Sequence, residues 1–127
     1  AITAVGSAVG IAWALGASAE SLVSIAPKSV TTPVAMGIAE KLGGIPSLTA
    51  VLVILTGITG AIIATPLLNA LGLKDWRARG FAAGVAAHGL GTARAFQVND
   101  LAGTFAGIGM ALNALATALI VPVLWRW

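Results

Sequence analysis

Charged side chains are spaced so widely along this chain that three uncharged runs reach the length of a membrane-crossing helix. They cover residues 1–19, 42–73 and 101–125, against a requirement of about 20 apolar residues per crossing. The middle run is long enough to cross with residues left for turns. Two further segments, 21–42 and 80–98, are apolar but interrupted. The first contains Pro27-Lys28-Ser29-Val30-Thr31-Thr32-Pro33, and the second contains His88, Gly89, Gly91 and Arg94. Each carries a helix breaker and a cation near its middle, so each is expected to be a discontinuous transmembrane helix. The pattern predicts an all-α, polytopic transmembrane helical bundle with two broken helices. It forms one transmembrane domain over 1–127, with about five membrane-crossing segments at 1–19, 21–42, 48–71, 80–98 and 101–125.

The connections fit this division. Gly43-Gly44-Ile45-Pro46-Ser47 separates the first broken segment from the middle run, Lys74 to Arg79 separates the middle run from the second, and Asn99-Asp100 caps the last. Lys74, Arg77 and Arg79 make a cationic loop, which the positive-inside rule places in the cytoplasm. Counting crossings from that loop puts the Arg126 end, the C-terminus, in the cytoplasm as well. Trp76, Trp125 and Trp127 then fall at interfacial depth. Gly6/Gly10, Gly80/Gly84 and Gly103/Gly107 have the spacing that lets membrane helices approach closely.

Composition narrows the function classes. Hydrophobic residues make up 58% and charged ones 9%, against roughly 25% charged in a soluble domain, which argues against a soluble enzyme or nucleic-acid module. A net charge of +3 from scattered cations makes no dense basic face, so no nucleic-acid partner is expected. The absence of cysteine removes thiolate nucleophiles and cysteine metal sites, and one His with four acidic residues supplies a protein metal site poorly. No cofactor, metal or catalytic residue is expected. The opening inside an apolar run, with neither Met nor a cationic leader, reads as a piece of a longer membrane protein.

Two constellations carry candidate chemistry. Pro33 suits the start of a new helix, with Thr32 before it as N-cap, and the half-helix from Pro33 to Leu42 would be about 15 Å long, half the bilayer. Its N-terminus is therefore expected near the midplane, where free N–H groups, the hydroxyls of Ser29, Thr31 and Thr32 and the Lys28 ammonium would suit an anion. Non-helical backbone at that depth implies protein burial or a water-filled cavity; the alternative is that Lys28 snorkels from an ordinary loop. In His88-Gly89-Leu90-Gly91-Thr92-Ala93-Arg94, the glycines permit unwinding and Arg94 offers a fork of donors to a carboxylate. At that depth Arg94 would need an anion, either a substrate or an acid such as Asp100 or Glu40. His88 has an ordinary pKa near 6.5, making it the candidate for proton coupling, although a lone His also serves as a hydrogen-bonded structural residue. Asn113, in the last run, either bonds across helices or lines the cavity.

PKSVTTPVAM (Pro27 to Met36), GGIPSLTAV (Gly43 to Val51) and AHGLGTARAF (Ala87 to Phe96) resemble the LrgB/CidB family of membrane proteins over nearly the whole chain. The resemblance implies the C-terminal portion of a longer LrgB-like chain, multi-pass in a bacterial inner membrane. It also implies one of two activities. One is secondary transport of small monocarboxylates of the glycolate, glycerate or pyruvate type, and the other is holin-like or antiholin-like control of murein hydrolase export and autolysis. The implied partners are membrane lipid, a small carboxylate, further copies of the chain and a small LrgA/CidA-type membrane protein. On the transport reading the substrate-binding residues are Lys28, Ser29, Thr31, Thr32, Pro33, His88, Gly89, Gly91, Thr92 and Arg94. Asn113 would line the cavity.

Overall fold

Four chain breaks set where helices begin, and at three of them a side chain caps the helix that follows. In the computed structural model, which describes residues 1–125, Ser18 accepts a hydrogen bond from the Ser21 amide (3.3 Å) and Asp75 accepts one from the Arg77 amide (2.9 Å). Asn99, in extended backbone, accepts one from the Ala102 amide (3.1 Å). Thr31 takes the N-cap conformation without a side-chain cap. These positions start α2 (Ala19–Ile25), α5 (Trp76–Val98), α6 (Asp100–Leu124) and α3 (Thr32–Lys41), beside α1 (Ile2–Ala14) and α4 (Pro46–Ala70). The described residues contain no strand. The cap of α3 is Thr31 rather than the expected Thr32, which is already helical; Pro33 still sits in the first turn, where its missing N–H costs nothing.

Two of the five expected crossing segments are helices long and apolar enough to cross a membrane: α4 and α6, with 25 residues each, about 38 Å at 1.5 Å per residue. Both expose large apolar side chains along their length, among them Ile54, Ile62 and Leu67 on α4 and Leu112, Leu115 and Leu119 on α6. The core helix of a soluble protein would bury them. The other three segments differ from expectation. Residues 1–19 contain a helix of only 13 residues, because Gly16 takes φ +80° and ends the run. Segment 21–42 holds α2 and α3 joined by turn 26–31. Segment 80–98 belongs to α5, which begins four residues earlier, at Trp76, and is interrupted at His88 (φ 40°, ψ −130°). Arg126 and Trp127 lie outside the described residues.

The chain packs as two units, Ala1–Ile54 with the α6 residues from Ala114 onward, and Leu55–Asn113. In the first unit, the Ser24 hydroxyl near the end of α2 accepts from the Ile45 amide, just past α3 (2.7 Å), and Thr49 of α4 donates to the Ser24 carbonyl (2.9 Å). The chain therefore leaves the level of Ser24 through turn 26–31 and returns to it along α3, as a hairpin. The turn's Val30 packs with Ala35, Val53 and Ala114. Val53 and Ala114 lie within five residues of Ile58 and Leu112, the middle residues of α4 and α6.

The second unit contains another hairpin, made inside a single expected span. A Cβ on Gly91 would collide with the carbonyl oxygen of Ala83. Eight residues of continuous helix would hold those groups about 12 Å apart, so α5 doubles back at His88. Its first leg packs on α6 through Gly80 against Ala102 and Gly84 against Ala106, backbone to backbone. Its second leg meets α6 at Phe96 on Gly103 and at Thr92 on Met110. The Gly80/Gly84 and Gly103 contacts are those expected of close helix packing, whereas Gly6, Gly10 and Gly107 have no neighbour that a Cβ would touch. Doubled back at His88, α5 is not one continuous helix of crossing length.

Candidate functional site

The turn of the first hairpin gathers five of the expected site residues. Pro27 and Ser29 are buried, Lys28, Thr31 and Thr32 are half-buried, and Pro33 is exposed. Short backbone bonds, Lys28 to the Ile25 carbonyl (3.1 Å) and Val30 to the Pro27 carbonyl (3.3 Å), shape the turn. Proline at both ends forbids its replacement by continuous helix. The N-terminus of the ten-residue α3 thus opens beside Lys28, with no side chain capping it. Positive dipole, ammonium and hydroxyls meet there, the chemistry of an anion site.

In the second hairpin the tip is His88, buried at 5% exposure. Its φ of 40° is a conformation that costs a non-glycine residue about 1–3 kcal/mol and persists only when the surroundings enforce it. Three neighbours do so. Thr92 donates its hydroxyl to the His88 carbonyl (2.9 Å), tying the tip to the first turn of the second leg. Gly57 of α4 leaves room for the ring: a Cβ there would lie 2.6 Å from His88 Cε1 and 2.8 Å from Nε2. Asn113 of α6 donates to the Val85 carbonyl (3.3 Å), three residues before the break, and so bonds from one helix to another. Since Gly57 is one residue from the midpoint of α4, the imidazole lies half-way along that helix.

Gly89 and Thr92 accompany His88 at the tip, with Gly91 buried between the legs. Arg94 does not. Six residues beyond His88, it is carried about 9 Å toward the open end of the hairpin by the helical rise. There it is exposed, donates to Gln97 Oε1 (3.3 Å) rather than pairing with Asp100 or Glu40, and shares with Arg79 and Trp76 the wall of a cavity of about 30 Å³. It is a cation of the hairpin base, not of the tip. Arg79 bonds the Leu73 carbonyl (2.7 Å) and Asn69 Oδ1 (2.8 Å) and stacks on Trp76. In the loop the Arg77 guanidinium forks onto Asp75, holding that exposed carboxyl below its usual range.

Two residues that the linear pattern did not mark bear on these turns. Gly57 sits in an uncharged run where glycine is common, and its signal is only its central position. Thr117 of α6 is 2% exposed, and its hydroxyl has no hydrogen-bond partner, a state that costs about 1–3 kcal/mol. Among the described residues no group of three or more His, Cys, Asp or Glu side chains could hold a metal ion.

Comparison with known proteins identifies relatives over most of the chain. The chain is 41% identical over 101 residues to the uncharacterized protein YwbG of Bacillus subtilis, covering 80% of this chain and 45% of that one. It is 37% identical over 109 residues to the holin-like protein CidB of Staphylococcus epidermidis (86% and 48%), and 34% identical over 111 residues to the holin-like protein CidB of Staphylococcus aureus (87% and 48%). It thus spans about half the length of these relatives. No solved structure matches it. The model of the LrgB-like family matches residues 1–127, and with two long apolar helices, both exposed, and two helix breaks at their mid-length, the chain belongs to that family of membrane proteins.

Proposed function

We propose that the chain is part of a holin-like membrane protein, the reading that its family and the name of its staphylococcal relatives support most directly. On this reading the full-length protein sits in a bacterial inner membrane and associates with a small LrgA/CidA-type membrane partner and with copies of itself. There it regulates murein hydrolase export and autolysis.

A second reading is favoured by the geometry: secondary transport of small monocarboxylates of the glycolate, glycerate or pyruvate type. The observation behind it is the pair of helix breaks, one at Pro27–Pro33 and one at His88, each packed against the middle of a long apolar helix. Broken backbone at that depth is tolerated where it lines a protein-walled cavity, and transporters use such half-helix ends to hold ions and anions. Lys28 and the α3 N-terminus would hold the carboxylate, Ser29, Thr31 and Thr32 its oxygens, and His88 would carry a coupled proton. The positive-inside rule keeps loop 71–75 cytoplasmic; with α5 doubled back, the far end of α6 then faces the opposite side.

Proteoliposomes separate the two readings. Saturable, mutually competing uptake of labelled pyruvate, glycolate and glycerate by the full-length protein, abolished by Lys28→Ala without release of a large entrapped dye, establishes the carrier. Dye release without saturation establishes the holin-like activity and excludes the carrier.

A further inference from the structure

We propose that the open end of the α5 hairpin binds one anionic phospholipid. Its phosphate sits between Arg79 and Arg94, and one acyl chain lies along the groove between α4 and the first leg of α5. The inference requires only that the chain sits in a membrane and is independent of both readings of its function.

The argument starts from two charges that no carboxylate balances. Arg79 and Arg94 line the same cavity, in the second unit. Among the described residues both donate only to neutral oxygens, Arg79 to the Leu73 carbonyl and Asn69 Oδ1, and Arg94 to Gln97 Oε1. Those bonds use two and one of the five N–H donors that each guanidinium carries. The nearby ion pair, Arg77 with Asp75 (3.1 Å), is not part of the cavity wall, and neither is Asp100. Two guanidiniums on one cavity repel each other until an anion joins them, and a phosphate accepts from both.

The shape of the space selects the rest of the molecule. Between the arginines the cavity holds about 30 Å³, room for a single small group. On the loop side Arg79 and Trp76 also line a wider cleft of about 420 Å³ with Asn69, Leu73 and Lys74. A polar headgroup fits there, beside a third cation. On the other side the cavity shares Ala64, Leu68 and Ala83 with a groove that has no polar side chain and runs on to Gly60 and Ala86. From Leu68 to Gly60 that groove follows α4 for eight residues, about 12 Å, from the cationic loop toward the helix midpoint. Cations at a loop, an indole at the same level and an apolar channel leading inward match a phospholipid from headgroup to tail. A soluble anion would use the charges and leave the channel unfilled.

The test uses full-length protein in an uncharged detergent, with bound lipid read by native mass spectrometry. The probes are phosphatidylglycerol, phosphatidylcholine with the same acyl chains, and inorganic phosphate. Phosphatidylglycerol is expected to be retained in preference to phosphatidylcholine. Arg94→Gln, at an exposed position, should weaken that retention on the order of 10-fold, the worth of one charge-assisted hydrogen bond. Ala64→Leu, which fills the junction of cavity and groove, should weaken it as well. Arg77→Gln removes the same charge from the same loop, but from an arginine already paired with Asp75, and should change retention by no more than about 2-fold. If Arg94→Gln fails to assemble, Arg79→Gln read against Arg77→Gln makes the same comparison. Equal retention of the two lipids, or equal losses in the Arg77 and Arg94 variants, overturns the proposal. Displacement of the lipid by inorganic phosphate at equal concentration also overturns it and makes this a site for a soluble anion.

Discussion

The two hairpins reverse the chain by different means. The first uses covalent constraint: prolines at 27 and 33 bracket a turn, and side-chain hydroxyls of Ser24 and Thr49 pin its base to the start of α4. The second has no proline and no loop. One residue, His88, takes a positive φ, and the legs are held by glycines that bring backbone against backbone on α6. A proline-bracketed turn is specified locally, whereas a reversal at a single non-glycine residue stands only while its neighbours enforce it. The first should therefore tolerate changes in packing and suffer from lost hydrogen bonds, and the second should do the reverse.

The largest effect should come from giving a glycine of each hairpin the same added methyl. In Gly84→Ala the Cβ meets the Ala106 carbonyl, which only backbone movement could relieve; a loss of about 3 kcal/mol is expected. In Gly37→Ala, on α3, nothing lies within reach of the Cβ, and the better helix former should stabilise by about 0.5–1 kcal/mol. Thermal unfolding in detergent reads both. Equal signs would erase the distinction between the hairpins.

Next in size is Ser24→Ala, which removes the acceptor of the Ile45 amide (2.7 Å), on a half-buried residue, and the donor to the Glu20 carbonyl (2.7 Å). A loss of about 1–2 kcal/mol is expected, accompanied by faster amide exchange at Ile45. Unchanged exchange there would mean that α3 returns to this level for another reason. Gly57→Ala should cost less, about 1 kcal/mol, because the crowded atoms are the ends of the His88 and Leu90 side chains, which can shift. Combined with His88→Ala, the cost should fall toward zero. Persistence of the full cost would show that Gly57 does not seat the imidazole.

Both breaks were legible in the sequence, because proline pairs and glycine-rich polar insertions in apolar runs act locally. A place near the middle of an apolar span is expected from helix length alone. Reversal at His88 was not legible: a kinked crossing and a hairpin have the same residues, and what distinguishes them is Gly91 against Ala83, a contact that no linear pattern displays. The position of Arg94 depends on the same contact. In a straight broken span it belongs to the break, while in a hairpin each residue beyond the tip moves it toward the open end. The first run has the pattern of a span because Gly16 interrupts no hydrophobic pattern, although its backbone ends the helix. Thr117 is not legible either, because a threonine in an uncharged run carries no linear signal of burial or of a missing partner.

The smallest effect sharpens the comparison most. Asn113 ties the His88 hairpin to α6 through Nδ2, which donates to the Val85 carbonyl, and at 3.3 Å this bond is long. Bonds of this kind between membrane helices are worth about 0.6 kcal/mol on average. Asn113→Ala should therefore lower stability by about that amount plus the small loss of packed volume, well under the cost of Ser24→Ala. A carbonyl beside a helix break has two lone pairs and can keep its other contacts, so losing one weak donor leaves it only partly unsatisfied. Should Asn113→Ala instead cost as much as Ser24→Ala in the same detergent, the second hairpin would depend on hydrogen bonding as the first does. The glycine contacts along Gly80 and Gly84 would then follow from the reversal at His88 and would not enforce it.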